Sequence, residues 1–380
     1  MRRTLALVGV LAITSATTLA ITLATTACRR ERASPVGPEK GQLAPSIDPR
    51  IDPREAKVDA IVASALTADG PGVAVAVVVG GRVVVEKGYG LADLSAHTKI
   101  DARTNFDLAS VSKQLTAMVI LRLENQGLLR IDDPVSKHLP ALAAFSSLTL
   151  ADLLHMTSGL AEYTDAEEDF PDPTAVTDDE IVRWAGAQPL QFETGTRFRY
   201  TNTNYVALAA VVERVTGGSF ADVLHREVLA PVTMGGTVLF DRKDVSIPRR
   251  AVGYRKQAGA WKISRDDLPC TGDGNVFSSL DDLIRWDAAL RGHTLVSRST
   301  LERAFTSGTL TSGEETGYGF GWFVSKHAGK RLVDHSGAWA GTSTYIARYL
   351  DDDVTVILLS NDEDFDTGLA EPIAALFLPR

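Results

Sequence analysis

Three short segments carry residues whose types and spacing suit covalent chemistry. The first is Ser110-Val111-Ser112-Lys113. A serine hydroxyl is a weak nucleophile until an adjacent base takes its proton. If a helix runs through this segment, residues three apart share a face, and the Lys113 amine stands beside the Ser110 hydroxyl. A helix N-terminus at the serine adds partial positive charge and unpaired N–H groups, which favour a developing oxyanion. An amine serves as a base near neutral pH only if it is held unprotonated, and desolvation next to a positive helix end acts in that direction. Of eleven lysines, Lys113 alone has a serine three positions before it. With 24 serines in the chain, chance alone supplies roughly 0.7 such pairs, so this motif by itself is weak. The second segment, Tyr200-Thr201-Asn202, is the only Tyr-x-Asn, and the third, His335-Ser336-Gly337, is the only Lys or His followed by a hydroxyl residue and glycine. Composition alone supplies roughly 0.1–0.2 of each, so all three coincide in about two random chains per hundred.

With these motifs the chain resembles the serine β-lactamase and penicillin-recognising enzymes. It is most similar to the branch of class C β-lactamase, D-alanyl-D-alanine carboxypeptidase and related esterases. The runs Phe106 to Thr116, Leu153 to Leu160, Tyr200 to Met234 and Tyr318 to Trp322 also resemble blocks of that family, and the likeness covers about residues 55 to 380. The resemblance implies an acyl-enzyme mechanism in which Ser110 attacks a carbonyl while Lys113 and Tyr200 move protons. It implies that Asn202 holds the substrate amide and that His335, with Ser336 and Gly337, lines the opposite wall. The backbone N–H groups of Ser110 and Ala338 would form the oxyanion hole. No cofactor or metal is implied, and the substrates are small molecules or peptides: D-Ala-D-Ala peptides, β-lactams or esters. Three departures stand out: His335 where such β-lactamases carry lysine, Thr201 between the tyrosine and asparagine, and Glu193-Thr194-Gly195 where a Pro-Gly pair is usual. The first bears on substrate choice. An imidazole is mostly neutral at pH 7, so substrates with a free carboxylate are expected to lose anchoring there, and uncharged esters to lose little. The expected function is therefore an exported serine hydrolase with D,D-peptidase- or esterase-like activity. The alternative is a non-catalytic or sensor-type envelope protein that binds peptidoglycan peptides or β-lactams without turnover.

The elements that must position these residues follow from periodicity. Val73–Val79 and Arg82–Gly88 are Val-rich runs joined by Gly80-Gly81, a hairpin signal. Near the other end, 319–324, 331–334, 344–349 and 354–359 read as strands, and 367–377 as a closing helix. Between the ends, 112–126, 150–155, 178–187, 204–216, 220–229 and 279–290 read as helices, after a first one at 54–66. Strands at both ends with a helical middle predict an α+β fold: an antiparallel sheet built from both chain ends and flanked by helices, with an inserted mainly helical subdomain. The expected catalytic domain is 55–380, its sheet part about 55–108 and 318–380 and its helical part about 109–317.

Residues 1–28 read as a leader: Arg2 and Arg3, an apolar or small run to Ala27, then Cys28, a candidate for lipidation. A bilayer association through that lipid or the leader is expected, with the remainder exported to the bacterial envelope or periplasm. Residues 29–54 carry five prolines and a tandem Ile-Asp-Pro-Arg repeat, and read as an extended tether. A net charge of −9 without a basic cluster in the folded part excludes nucleic acid as a partner. The two cysteines, Cys28 and Cys270, provide no disulfide framework, and Cys270 reads as a bystander thiol. The acidic run from Glu162 to Asp172 reads as a solvated loop or a rim of the cleft.

Overall fold

The computed structural model describes residues 52–170, 172, 175–242, 244–265 and 268–379. The leader with Cys28, and all but the last three residues of the 29–54 tether, lie outside the described residues. A six-stranded antiparallel sheet is ordered Phe323–His327, Lys330–Trp339, Thr342–Tyr349, Val354–Ser360, Val73–Val79, Arg82–Tyr89. Chain-terminal strands therefore meet in its middle, with Val73 opposite Ser360 and Val79 opposite Val354. The run Val-Ala-Val-Ala-Val-Val-Val explains why this strand is central. Residues two apart share a face, so Val73, Val75 and Val77 pack with Val58 and Val62 of the first helix, Ile373 of the last, and Phe377 just beyond it. Ala74 and Ala76 face the main core on the other side, where small side chains let the helix Leu280–Gly292 approach. Both faces are covered, and the strand is apolar throughout. Gly80 and Gly81 have φ of 57° and 75°, the backbone a two-residue hairpin turn demands.

Beside the sheet, two buried helices form the floor of the helical part. Lys113–Asn125 is buried from Lys113 to Leu121, and Asn202–Thr216 from Thr203 to Val212. The second ends at Gly217, whose φ of 71° supplies a left-handed cap. The other expected helices lie within a few residues of their spans, and Asp178–Ala187 coincides with its own, whereas the helix Arg298–Ala304 was not expected. Elsewhere the structure differs for identifiable reasons. The expected strand at 319–324 starts only at Phe323, because the Tyr318 to Trp322 run is a close-contact loop. A Cβ on Gly319 would meet Ala304 O at 2.1 Å, and one on Gly321 would meet the backbone of Lys113 and Gln114 at 2.8 Å. The expected helix at 220–229 continues from Phe220–Leu224 into a π-helical stretch, His225–Leu229. A small sheet of Phe106–Asp107, Val276–Ser278 and Val238–Leu239 escapes periodicity because its strands have two or three residues. It pins the chain just before Ser110, where Leu108 N donates to Val276 O at 2.9 Å.

Candidate active site

Ser110 lies in a 3-10 turn, Ala109–Ser112, that runs directly into the helix starting at Lys113. At three residues per turn, side chains at i and i+3 eclipse, and Lys113 Nζ lies 3.0 Å from Ser110 Oγ. Entry to the turn is strained: Ala109 has φ of 45°, a costly conformation for a residue with a Cβ. The surroundings hold it there. Asp107 Oδ1 accepts from Ala109 N at 2.8 Å, while Thr342 and Thr344 donate their hydroxyls to the carbonyls of Asp107 and Leu108, both at 2.8 Å.

Lys113 is wholly buried. Besides Ser110, its Nζ contacts Asn202 Oδ1 at 2.8 Å and the carbonyl of Asp273 at 2.7 Å. An ammonium donates to all three oxygens. A neutral amine donates two hydrogens to the two carbonyl oxygens, which accept only, and turns its lone pair to the hydroxyl of Ser110. The geometry therefore suits an amine that receives the serine proton.

Asn202 opens the helix Asn202–Thr216, and its N–H donates to Glu162 Oε2 at 2.6 Å. Glu162 is buried, and burial pushes its carboxyl above the usual range. Tyr200 is fixed by rings: Phe323 stacks on it at 6.2 Å, Tyr318 meets it edge-on at 6.0 Å, and Lys113 Nζ lies 5.1 Å from its centroid. Its hydroxyl is buried yet has no hydrogen-bond partner among the described residues.

Ser110, Tyr200, Asn202 and Ala338 line one pocket of about 190 Å³, together with Asp107, Ala109, Tyr163, Leu268, Cys270, Asp273, Gly274, Asn275 and Trp339. The third motif is placed differently from its expected position on the opposite wall. His335, Gly337 and Val333 point into the sheet's buried face, while Ser336 and Ala338 are exposed. His335 is 1% exposed, with Nε2 3.0 Å from the Tyr318 hydroxyl and Nδ1 2.6 Å from Ser336 O. Burial, with the nearby Lys113 charge, pushes its pKa down to about 3. It is thus a neutral group packed 5.9 Å from the Tyr200 ring centroid, not part of the pocket lining. Gly337 presses on the serine segment: a Cβ there would meet Leu108 O at 2.2 Å. Ser336 is also outside the pocket lining.

The motif reading missed Asp273, Tyr163 and the position of Cys270. Asp273 serves Lys113 through its backbone carbonyl, which no residue type announces. The Tyr163 hydroxyl donates to Asp273 Oδ2 at 2.9 Å and lies 3.1 Å from Cys270 Sγ. Cys270, expected as a bystander, is on the pocket wall, and the acidic run begins there too, since Tyr163 follows Glu162.

The family profile described as Beta-lactamase matches residues 57–378. Penicillin-binding protein 4* of Bacillus subtilis (strain 168) is 33% identical over 311 residues, covering 77% of this chain and 68% of that protein. Protein flp of Staphylococcus aureus (strain MW2) is 26% identical over 300 residues, covering 77% of this chain but only 59% of its own. Among solved structures, the octameric penicillin-binding protein homologue from Pyrococcus abyssi superposes with a TM-score of 0.74 at 25% identity, covering 85% of this chain and 77% of that one.

Proposed function

The chain belongs to the beta-lactamase family of serine hydrolases, and from that premise we propose that it cleaves an ester or amide through an acyl-enzyme on Ser110, with esterase- or D,D-peptidase-like activity. The observation that carries this reading is the 3.0 Å contact between Ser110 Oγ and a Lys113 amine whose other two partners are acceptors. Ser110 Oγ attacks the carbonyl carbon, and its proton passes to Lys113 Nζ. The N–H groups of Ser110 and Ala338 receive the oxyanion. As the tetrahedral intermediate collapses, the leaving group departs with a proton delivered through the Tyr200 hydroxyl, whose lack of a partner leaves it available to substrate. Water then attacks the acyl group by the reverse proton path. Asn202, already bound to Lys113, holds the base in place and offers its side-chain NH2 to the substrate.

Intact-mass analysis after incubation with an activated phosphonate, and separately with a fluorescent penicillin, tests the nucleophile. One adduct on Ser110, abolished by Ser110→Ala, supports the reading, and an adduct retained by that variant sinks it. We also infer export, on the strength of Arg2-Arg3, the apolar run and Cys28. Partition with membranes, lost in Cys28→Ser, is the expected outcome if Cys28 is lipidated.

A further inference from the structure

We propose that Asp273 makes this pocket selective for acyl donors that carry a cationic amine, ahead of uncharged ones and well ahead of those with a free carboxylate. The inference rests on the proposed function and narrows it to the esterase-like branch, because D-Ala-D-Ala peptides carry a free carboxylate. Among the described residues of the pocket lining there is no Lys, Arg or His, while Asp107 and Asp273 are both present. Lys113 lies behind Ser110, with its amine committed to three oxygens. The side chains of formal charge on the wall that meets an arriving substrate are therefore both carboxylates. The third motif, where a cation would anchor a carboxylate, provides a buried imidazole bound to Tyr318.

Asp273 is the carboxylate of the pocket lining with an unpartnered oxygen. It is 8% exposed, and its Oδ2 accepts from Tyr163. Its Oδ1 is buried without a hydrogen-bond partner, with only the N–H groups of residues 273 and 274 leaning on the carboxylate. A buried acceptor in that state is costly, and a charge-assisted bond from an ammonium would relieve it. Burial raises the Asp273 pKa, against the opposing pull of Lys113, which is the direction an incoming cation would reverse. Asp107 already receives the Ala109 N–H. Cys270, Leu268 and Trp339 supply the less polar remainder of the wall, suited to the alkyl stem that carries the amine.

Three p-nitrophenyl phosphonate diesters with the same alkyl stem, ending in ammonium, methyl or carboxylate, test this. Ser110 Oγ attacks phosphorus, the bond to nitrophenolate breaks, and the released chromophore times the step. The ammonium probe is expected to react about 10- to 100-fold faster than the methyl probe, the span of one charge-assisted hydrogen bond, and the carboxylate probe slowest. Asp273→Asn should bring the ammonium-to-methyl ratio to within about threefold. A carboxylate probe as fast as the ammonium probe overturns the inference. So does an Asp273→Asn variant that slows all three equally, which would assign the carboxylate to Lys113 alone. If Asp273→Asn does not fold, the wild-type rate order decides. Failure of the methyl probe to modify Ser110 strikes the proposed function instead. In that case calorimetry of the corresponding unreactive amides with the Ser110→Ala protein still decides the charge preference: tighter binding of the amine supports it, and equal or weaker binding refutes it.

Discussion

Gly337→Ala isolates how the third motif acts on Ser110 by packing. A methyl group there would fall 2.2 Å from Leu108 O and 2.3 Å from Thr344 Oγ1. Carbon–oxygen contacts rest at about 3.3 Å, so the strand or the serine segment must retreat by about 1 Å. Overpacking of this kind costs about 1–3 kcal/mol. The threonine that would be displaced donates to Leu108 O at 2.8 Å, and losing that bond adds about 1 kcal/mol. The Tm should therefore drop by roughly 4–12 °C, taking about 2–3 °C per kcal/mol for a domain of this size. Leu108 is two residues from the nucleophile, and misplacing a reacting atom by about 1 Å costs on the order of 100-fold. The assay pairs thermal melts with the rate of phosphonate acylation, using Gly329→Ala as control. At Gly329 nothing lies within 4 Å of the added Cβ, although φ is 80°, so only about 1–2 kcal/mol of backbone strain is expected, with unchanged acylation. A Gly337→Ala protein that melts lower yet acylates within twofold of wild type would refute the positioning argument.

The other predictions read different parts of the molecule. Tyr200→Phe removes a buried hydroxyl that has no partner, so stability should stay level or rise while turnover falls about 10²–10⁴-fold; a large loss of Tm with unchanged turnover would reverse the assignment. Asp287 is 1% exposed and accepts from Arg348 at 2.9 Å, Thr355 at 2.7 Å and Arg291 at 2.8 Å. Asp287→Ala should cost about 3–5 kcal/mol in urea melts by stranding buried Arg348, and leave Ser110 labelling intact well below the Tm. The His335 pKa is depressed to about 3 in the folded chain, so below the unfolded value of ~6.5 the unfolded state binds more protons and stability falls with pH. That contribution amounts to about 1.4 kcal/mol per pH unit, or roughly 2–3 kcal/mol by pH 4.5. His335→Gln should remove it, and equal pH slopes for the two proteins in urea melts would contradict the burial argument.

Much of the fold was legible because its signals are long or chemically distinct. The Val73–Val79 strand and the Asp178–Ala187 helix coincide with their expected spans, one marked by seven consecutive small apolar residues and the other by an acidic first turn with a Thr177 capping box. The pairing of Ser110 with Lys113 was expected from their spacing, and the approach of Tyr200 and Asn202 from the family resemblance. What escaped has no such signature. Asp273 reaches Lys113 through a carbonyl that any residue possesses. The three-stranded sheet that holds the approach to Ser110 has strands too short for periodicity to register.

His335 shows a more instructive gap, because the information was present in the sequence. The expected strand stopped at Asp334, so His335 read either as a residue facing substrate or as a packed histidine at the strand's end. The strand in fact runs from Lys330 to Trp339, and a period of two then dictates the rest. Val333 is apolar and must point inward; His335 and Gly337 share its face, and Asp334, Ser336 and Ala338 take the other. Extending the alternation by five residues buries the imidazole, and burial makes it neutral. An imidazole that could still gain charge in mild acid at an open wall is thus held neutral by burial, while a carboxylate from an unremarked loop stands near Lys113. One misplaced strand end thus removes the acid-side charging expected of an exposed imidazole, and leaves Asp107 and Asp273 as the charged side chains among the described residues of the pocket lining.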